Sequence, residues 1–344
     1  MDKFILGGTQ MEITRTGFGA LPIQRLDTEA AVRLVRQAVA GGITFFDTAR
    51  AYTDSEQKLG IALQGVRENL VIATKTGAQT AEGFWKDLEM SLRMLKTDYV
   101  DIYQFHNPDF VPKPGGADGL YDAALEAKRR GMIRHIGITQ HSIERAFEAA
   151  QSGLYETLQY PFNHLATEKE VALVETCRER GVGFIAMKAL SGGLVTRAEL
   201  PFAYIRQFPQ AVPIWGIQRE SELRQILELS ENPPRLDAAL QAEIERDRRE
   251  LVGEFCRGCG YCMPCPAGIP INNANRMTQL LTRSPAEPYF TPEWQQNMEK
   301  IEQCIHCGLC ASRCPYELKP FETLPGHLAF YRDMLSKHSN KKGE

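Results

Sequence analysis

The sequence predicts an α/β protein: a closed (β/α)8 TIM barrel followed by a small helical domain that is rich in cysteine. Short apolar stretches alternate with amphipathic helices eight times before residue 232, and eight of the nine cysteines lie between Cys256 and Cys314. The chain of 344 residues is also longer than a barrel of roughly 200 to 250 residues requires. We therefore expect a barrel at 1–232, a connecting helix at 233–254 and a cysteine domain at 255–344.

The expected strands are apolar runs bounded by polar or turn-forming residues, and each is followed by a helix with one apolar face. The strands lie at 16–21, 43–47, 69–75, 99–106, 133–139, 155–160, 182–188 and 211–217. The helices begin near Asp27 and then lie near 54–65, 80–96, 118–130, 142–152, 167–180, 197–208 and 219–231. A doubly wound sheet is the alternative fold, but Gly17-Phe18-Gly19 lacks the third glycine of a G-x-G-x-x-G turn.

Charge and composition limit the classes of partner. The chain has 40 basic and 43 acidic residues and a net charge of -3, so it lacks the basic surface that nucleic acid attracts. No apolar run approaches the roughly 20 residues that span a bilayer, and the N-terminus lacks a signal-peptide core. We expect a cytoplasmic protein that binds neither nucleic acid nor a membrane.

Polar side chains end three consecutive strands. Asp47 ends the strand at 43–47 and Tyr52 follows it, while Lys75 and His106 end the next two strands. Catalytic residues of (β/α)8 barrels lie at such strand ends, so we expect the four side chains to meet.

Together these groups suit a reaction at a carbonyl. A tyrosine has a reference pKa near ~10, and Lys75 would lower it by stabilising the phenolate, while Asp47 would hold the ammonium in place. His106 would bond the substrate oxygen or assist proton transfer. Polarising a carbonyl while protonating its oxygen is what hydride delivery to an aldehyde or ketone requires.

These residues also carry a family resemblance. The runs Asp47-Thr48-Ala49-x-x-Tyr52-x-x-x-Glu56, Thr74-Lys75 and Asp101-Ile102-Tyr103-x-x-His106 resemble the aldo-keto reductases over residues 1 to about 232. The resemblance implies a barrel that binds NADP(H) or NAD(H) without a Rossmann unit and acts on a small carbonyl or alcohol. It also implies Tyr52 as general acid/base, supported by Asp47, Lys75 and His106.

The resemblance further implies residues around the nicotinamide. Thr139 and Gln140 stand where the family usually has Ser-Asn for the carboxamide, and Gln159 matches the usual glutamine after the sixth strand. Met187 replaces an aromatic ring that many members place against the nicotinamide.

For the rest of the cofactor, Lys188 and the loop Leu190-Ser191-Gly192-Gly193 resemble the pyrophosphate-binding turn. The adenosine segment would include Gly216, Gln218 and Arg219. Arg219 would pair with a 2′-phosphate, which favours NADPH. Glu222 stands where a basic residue often lies, so NADH remains open.

The cysteines form two motifs. Cys304-x2-Cys307-x2-Cys310-x3-Cys314-Pro315 has the spacing of a bacterial [4Fe-4S] site, in which the fourth cysteine ligates a second cluster. Its partner is Cys256-x2-Cys259-x2-Cys262-x2-Cys265-Pro266, one residue shorter in its last interval. We assign Cys256, Cys259, Cys262 and Cys314 to one cluster, and Cys304, Cys307, Cys310 and Cys265 to the other. Zinc is the alternative, but four-cysteine zinc sites usually pair two C-x2-C knuckles without a third cysteine so close.

The whole arrangement resembles the aldo-keto reductases that carry a C-terminal ferredoxin-type domain of the α-helical kind. This implies an NAD(P)H-linked carbonyl oxidoreductase whose clusters exchange electrons with a ferredoxin-like partner. Two alternatives remain: an electron-transfer or interaction protein whose barrel binds cofactor without turnover, and a reductase whose clusters only stabilise the second domain.

Overall fold

The computed structural model describes residues 1–195, 197–251, 255–283 and 286–341, with side chains described as far as residue 338. The chain divides into two compact units. One contains Met1–Ala189 and Glu199–Gln241, and the other contains Leu190–Ala198 and Ala242–Glu344. The domain boundaries expected at residues 232 and 254 remain predictions, and residues 252–254 of the expected connecting helix lie outside the described residues.

The first unit contains a hairpin and a closed parallel barrel. The hairpin strands are β1 (Lys3–Ile5) and β2 (Glu12–Thr14). The barrel strands are β3 (Gly17–Gly19), β4 (Phe45–Asp47), β5 (Val71–Thr76), β6 (Val100–His106), β7 (Ile133–Thr139), β8 (Thr157–Pro161), β9 (Gly183–Met187) and β10 (Ala211–Gly216). Their order around the barrel follows the chain, and β10 closes it by pairing with β3. The predicted barrel is confirmed, and a doubly wound sheet is excluded because that sheet would stay open.

A helix follows each barrel strand. The helices are α1 (Thr28–Ala40), α2 (Ser55–Ala62), α3 (Ala81–Leu95), α4 (Leu120–Arg129), α5 (Ile143–Gln151), α6 (Glu168–Arg180), α7 (Glu199–Ile205) and α8 (Glu220–Glu231). Side-chain caps define several of their starts: Thr167 and Glu170 form a capping box at α6, and Thr80 accepts from the Gly83 N–H at α3.

The β1–β2 hairpin covers the N-terminal end of the barrel. Thr14 and Thr44, which precedes β4, exchange hydrogen bonds of 2.9 and 3.1 Å through their hydroxyl and N–H groups. Leu6 and Ile13 are fully buried against a barrel core that includes Phe45. The hairpin therefore leaves the C-terminal ends of the strands, where the predicted site lies, uncovered.

The second unit is helical. Its helices are α9 (Ala238–Leu251, which starts in the first unit), α10 (Ile271–Ala274), α11 (Met277–Arg283), α12 (Pro292–Glu299), α13 (Leu309–Ser312) and α14 (Pro320–Lys341). Buried side chains of α10 to α14 form one core that includes Cys262 and Cys310. Among the helices of the described residues, none combines the length and hydropathy needed to cross a membrane.

Candidate functional site

A buried ion pair anchors the predicted catalytic residues. Lys75 Nζ in β5 donates to Asp47 Oδ1 at the end of β4 over 2.6 Å and to the Thr48 carbonyl over 2.6 Å. The two side chains are 1% and 3% exposed. Burial raises the pKa of Asp47 and lowers that of Lys75, and each partner's charge acts in the opposite direction. The pair is thus a fixed ammonium–carboxylate dipole in a desolvated setting.

Two glutamines complete the surroundings of Asp47. Gln104 Nε2 in β6 lies 3.3 Å from Asp47 Oδ2, and Gln159 Nε2 in β8 lies 3.4 Å from Oδ1. Sequence reasoning gave Gln104 no role. The signal was available, because Gln104 lies two positions before His106 and alternate strand residues share a face.

Tyr52 and His106 lie beside this pair. Lys75 Nζ is 5.1 Å from the centroid of the Tyr52 ring, and the Tyr52 and His106 rings meet edge to face with centroids 5.8 Å apart. The structure therefore brings together all four residues that the sequence predicted at strand ends.

The protonation states of Tyr52 and His106 follow from desolvation. Burial raises the pKa of Tyr52, and the charge of Asp47 raises it further. The expectation that Lys75 lowers this pKa was wrong, because desolvation and the Asp47 charge both raise it. Burial and the Lys75 charge lower the pKa of His106 to about 3, so its imidazole is neutral at neutral pH.

A second polar network holds the segment between Asp47 and α2. Glu56 is buried, accepts from the Thr74 hydroxyl over 2.6 Å and pairs with Arg50. The Thr48 and Ser55 hydroxyls are 2.9 Å apart. These contacts fix the turn that carries Tyr52. They also give Glu56 of the sequence motif a structural role.

Left-handed backbone marks the same end of the barrel. Thr53, Asn107 and Lys188 have φ values of 42°, 51° and 59°. Side chains with a Cβ adopt this region at a cost, and such residues concentrate at functional sites. Asn107 was not singled out from the sequence, although it directly follows His106.

The residues predicted around the nicotinamide lie in or directly after β7, β8 and β9. The Thr139 hydroxyl accepts from the Asn107 N–H over 3.0 Å. The Gln140 amide is held by the protein, since Nε2 donates to the Pro108 carbonyl over 3.0 Å and Oε1 accepts from Arg145 over 3.3 Å. Met187 is the last residue of β9 and is partly buried.

Gln159 offers a test of whether a nicotinamide group fits. Its side chain is 1% exposed, and within the described residues its Oε1 atom has no hydrogen-bond partner. A buried carbonyl oxygen of this kind suits the N–H of a carboxamide. The residues present therefore fit the cofactor that the resemblance implies.

The predicted phosphate and adenosine residues divide between the two units. The Lys188 carbonyl accepts from Asn163 Nδ2 over 2.9 Å in the first unit, whereas Leu190, Ser191 and Gly192 belong to the second. Gly216 ends β10, and Gln218 accepts from Arg25 over 3.2 Å.

Glu222 occupies the start of α8. Its Oε2 atom accepts from the Gln218 and Arg219 N–H groups over 2.9 and 3.1 Å, and its Oε1 atom lies 3.8 Å from Arg219 Nη1. A carboxylate thus takes the helix N-terminus and the guanidinium that a 2′-phosphate would use. This geometry weighs against the predicted preference for NADPH.

Cys177 is the only cysteine of the sequence outside the two motifs. Cys177 is fully buried in α6, and burial raises its pKa to about 12, so its thiol is protonated and unreactive.

Cysteines of both motifs line two cavities in the second unit, while crossed ligation stays a prediction. One cavity is lined by Cys256, Cys259, Cys262 and Cys314. The other is lined by Cys265, Cys304, Cys307 and Cys310, and also by Cys262. Each cavity thus holds the three close cysteines of one motif and the last cysteine of the other.

Each group places four cysteines around one cavity. A cubane cluster binds one thiolate at each of its four corners, so four cysteines around one cavity supply the ligands that it needs. Burial raises the pKa of Cys256 and raises that of Cys262 to about 12, so ligation there must displace protons.

Comparison with known proteins gives the family. Residues 4–228 match the model of the aldo/keto reductase family, and residues 255–319 match that of a 4Fe-4S dicluster domain. The aldo-keto reductase YhdN of Bacillus subtilis is 30% identical over 224 residues, covering 57% of this chain and 64% of the relative. L-galactose dehydrogenase of Arabidopsis thaliana is 32% identical over 219 residues, covering 57% of this chain and 67% of the relative. The match therefore spans about two thirds of these relatives.

Solved structures show the same fold. The aldo-keto reductase AKR11C1 from Bacillus halodurans superposes with a TM-score of 0.64 at 21% identity, covering 72% of this chain and 96% of the other. An aldo/keto reductase from Klebsiella pneumoniae, solved with NADP and acetate, gives a TM-score of 0.62 at 20% identity, covering 72% and 95%. Because the family model spans the barrel and includes all four residues gathered at its strand ends, the chain belongs to the aldo/keto reductase family of oxidoreductases, here followed by a 4Fe-4S domain.

Proposed function

We propose that the barrel interconverts a carbonyl and an alcohol, with NADPH or NADH as hydride donor and Tyr52 as general acid/base. The observation that carries this proposal is the meeting of Tyr52, His106 and the Lys75–Asp47 pair at the C-terminal end of the barrel. When bound, the nicotinamide supplies or accepts the hydride.

The raised pKa of Tyr52 suits it to the reductive direction. The phenol enters the reaction protonated. An alkoxide that forms on the substrate is a stronger base than a phenolate, so proton transfer from Tyr52 Oη to the substrate oxygen runs downhill. Lys75 then faces the phenolate and stabilises it, which its position 5.1 Å from the ring supports.

His106 has a different part. Because its pKa is lowered to about 3, the imidazole carries one N–H donor and no charge at neutral pH. This N–H would orient the substrate carbonyl oxygen between His106 and Tyr52. A charged imidazolium would in addition stabilise the bound substrate before the reaction, which a neutral imidazole does not do. Asp47, with Gln104 and Gln159, keeps Lys75 in place.

The cofactor residues follow the resemblance. Gln159, Thr139 and Gln140 would hold the carboxamide, and Met187 would pack against the nicotinamide ring. Lys188 with Leu190, Ser191 and Gly192 would bind the pyrophosphate, and Gly216, Gln218 and Arg219 would bind the adenosine. Glu222 at the start of α8 supports NADH as a substrate beside NADPH.

The second half of the proposal concerns the cysteines. Cys256, Cys259, Cys262 and Cys314 would ligate one [4Fe-4S] cluster, and Cys304, Cys307, Cys310 and Cys265 a second. The two cavities and the dicluster match support this division. When bound, such clusters pass single electrons, and a ferredoxin-like protein would be the partner. Cys307 is exposed, which supports exchange with a partner at the second cluster.

Two further observations favour alternative functions. The Gln140 amide already has protein partners, which favours an electron-transfer protein whose barrel binds cofactor weakly and turns over no carbonyl. Cys262 and Cys310 belong to the hydrophobic core of the second unit, which favours clusters that only stabilise the fold.

Replacing Tyr52 by Phe tests the carbonyl chemistry. We expect a loss of roughly 10²- to 10⁴-fold in kcat, the usual contribution of a positioned proton donor. The assay follows transfer of deuterium from C4-labelled NADPH and NADH to the alcohol over a panel of aldehydes and ketones.

The control for this experiment is cofactor affinity, measured by quenching of protein fluorescence. It should be unchanged in the Phe variant, which keeps the ring beside His106. If Tyr52→Phe transferred deuterium at the wild-type rate, Tyr52 would not be the general acid/base. The absence of any transfer by the wild-type protein across the panel would favour the electron-transfer function.

A further inference from the structure

The loop assigned to the cofactor pyrophosphate is built into the cysteine-bearing unit. Leu194 is fully buried in a core that also contains Cys262, Ile271 and Met277. Arg283 Nε donates to the Leu194 carbonyl over 3.3 Å and pairs through its other nitrogens with Asp247 and Glu250. Residues 190–194, called here the 190–194 loop, therefore take their position from this unit.

Arg276 makes the second polar contact with this loop. It lies between α10 and α11, is 5% exposed, and donates from Nη2 to the Gly192 carbonyl. Gly192 has a φ of +65°, and a Cβ there would lie 2.8 Å from Arg276 Nη1. Only glycine leaves room for the guanidinium at this carbonyl.

Arg276 also lies beside the first cysteine motif. A Cβ on Gly258, whose φ is +63°, would collide with Arg276 Nη1. The Gly258 N–H in turn donates to Cys256 Sγ over 3.4 Å. Arg276 thus lies against the Gly258 backbone, which in turn bonds the Cys256 sulfur.

Arg276 also retains unused hydrogen-bonding capacity. Among the described residues its Nε atom is buried without an acceptor. A buried N–H without a partner is costly, and a sulfur of a bound cluster is an acceptor that would relieve this cost.

We infer that Arg276 is a positioning residue that links the cofactor-binding loop to the Cys256 cluster, setting the reduction potential of that cluster and making it respond to cofactor binding. The inference rests on the proposed function, because it takes the cluster and the role of the 190–194 loop from there. A cation beside a cluster stabilises the reduced, more negative state and so raises its potential. Binding of an anionic pyrophosphate at the loop then lowers that potential, and reduction weakens binding by the same factor.

The first test measures midpoint potentials by anaerobic dye titration with electron paramagnetic resonance on the full chain, after iron and sulfide content confirm loading. We expect Arg276→Gln to lower the potential of one cluster and leave the other unchanged. Arg276→Lys, which keeps the charge, should restore most of the difference. Arg283→Gln is the matched control, because it removes the other guanidinium bond to the loop away from any cysteine and should leave both potentials unchanged.

The second test uses ADP-ribose and its 2′-phosphate, which carry the pyrophosphate but no nicotinamide. We expect either compound to lower the potential of the same cluster in the wild-type protein, with a smaller shift in Arg276→Gln. Should Arg276→Gln fail to load clusters, Gly192→Ala provides the same test without ligand, since its Cβ displaces the guanidinium and should lower the same potential.

The outcomes separate this inference from the proposed function. One outcome is that the probes bind and the clusters load, but the midpoint potentials of Arg276→Gln equal those of the wild-type protein or of Arg283→Gln. This outcome overturns the inference and leaves the proposed function intact. If neither probe binds or no iron–sulfur signal forms in the wild-type protein, the proposed function fails and the inference with it.

Discussion

The two regions of the molecule assemble their chemical groups in different ways. In the barrel, Asp47, Lys75 and His106 lie on adjacent strands whose register is fixed by backbone hydrogen bonds, and Lys75 donates to Asp47 over 2.6 Å. In the second unit, the cysteines lie on loops and at the ends of short helices, and cysteines of both motifs line two cavities. The barrel site is therefore organised by strand register, whereas the cysteine site is organised by two loop motifs that are distant in the chain.

The sharpest way to test this difference is to remove single cysteines across the two motifs. Cys265→Ala and Cys304→Ala should abolish the same cluster signal, and Cys314→Ala should abolish the other, because each cavity draws on both motifs. Each variant should lose about four iron atoms per chain, as expected for one cubane. Iron analysis and electron paramagnetic resonance provide the measurement.

Cys177→Ala is the control for this series, since Cys177 is buried in the barrel helix α6 and should leave the iron content unchanged. Loss of the same signal from Cys304→Ala and Cys314→Ala, with loss of the other signal from Cys265→Ala, would contradict crossed ligation.

The barrel site should respond to loss of one charge by losing stability. Lys75→Met leaves the buried Asp47 carboxylate without its cation, and breaking a buried pair costs about 3 to 5 kcal/mol. The double variant Lys75→Met, Asp47→Asn removes both charges and should recover part of this loss.

Urea unfolding measures the effect through Trp85 and Trp215, both in the barrel, in a Trp294→Phe background that silences the second unit. Equal stabilities of the two variants would show that the pair is not coupled as its geometry indicates.

The smallest expected effect is a loss of folding stability at acidic pH. The pKa of His106 is about 3 in the folded protein, against an ordinary value of 6.5. Below pH 6.5 this histidine is protonated in the unfolded chain but stays neutral in the folded protein. The free energy of unfolding therefore falls as the pH decreases below 6.5, and His106 does not change it above that pH. Between pH 6.5 and 4.5 this amounts to about 2 kcal/mol.

His106→Asn removes this contribution, so its stability should change less over the same interval when measured by the same urea titrations. A variant that loses stability toward acid as steeply as the wild-type protein would place the responsible histidine elsewhere.

The same contrast explains what the sequence could predict. Apolar periodicity located the barrel strands, and the rule that barrel sites lie at strand ends was sufficient to group Asp47, Tyr52, Lys75 and His106. The direction of the Tyr52 pKa was missed, because it depends first on how completely the fold removes the phenol from water and then on the distance to the Asp47 charge. No local pattern marks Arg276, whose contacts with Gly192 and Gly258 join segments far apart in the chain.

The central claim is that one chain performs hydride chemistry in its barrel and exchanges electrons through its clusters. Anaerobic mixing of the cluster-loaded protein with NADPH or NADH, followed by freeze-quench electron paramagnetic resonance and by product analysis with a carbonyl present, tests it most directly. The account predicts reduced cluster signals with cofactor alone and alcohol formation that depends on Tyr52 when a carbonyl is added. Alcohol formation with clusters that stay oxidised throughout, also in the presence of oxidised ferredoxin, would contradict it.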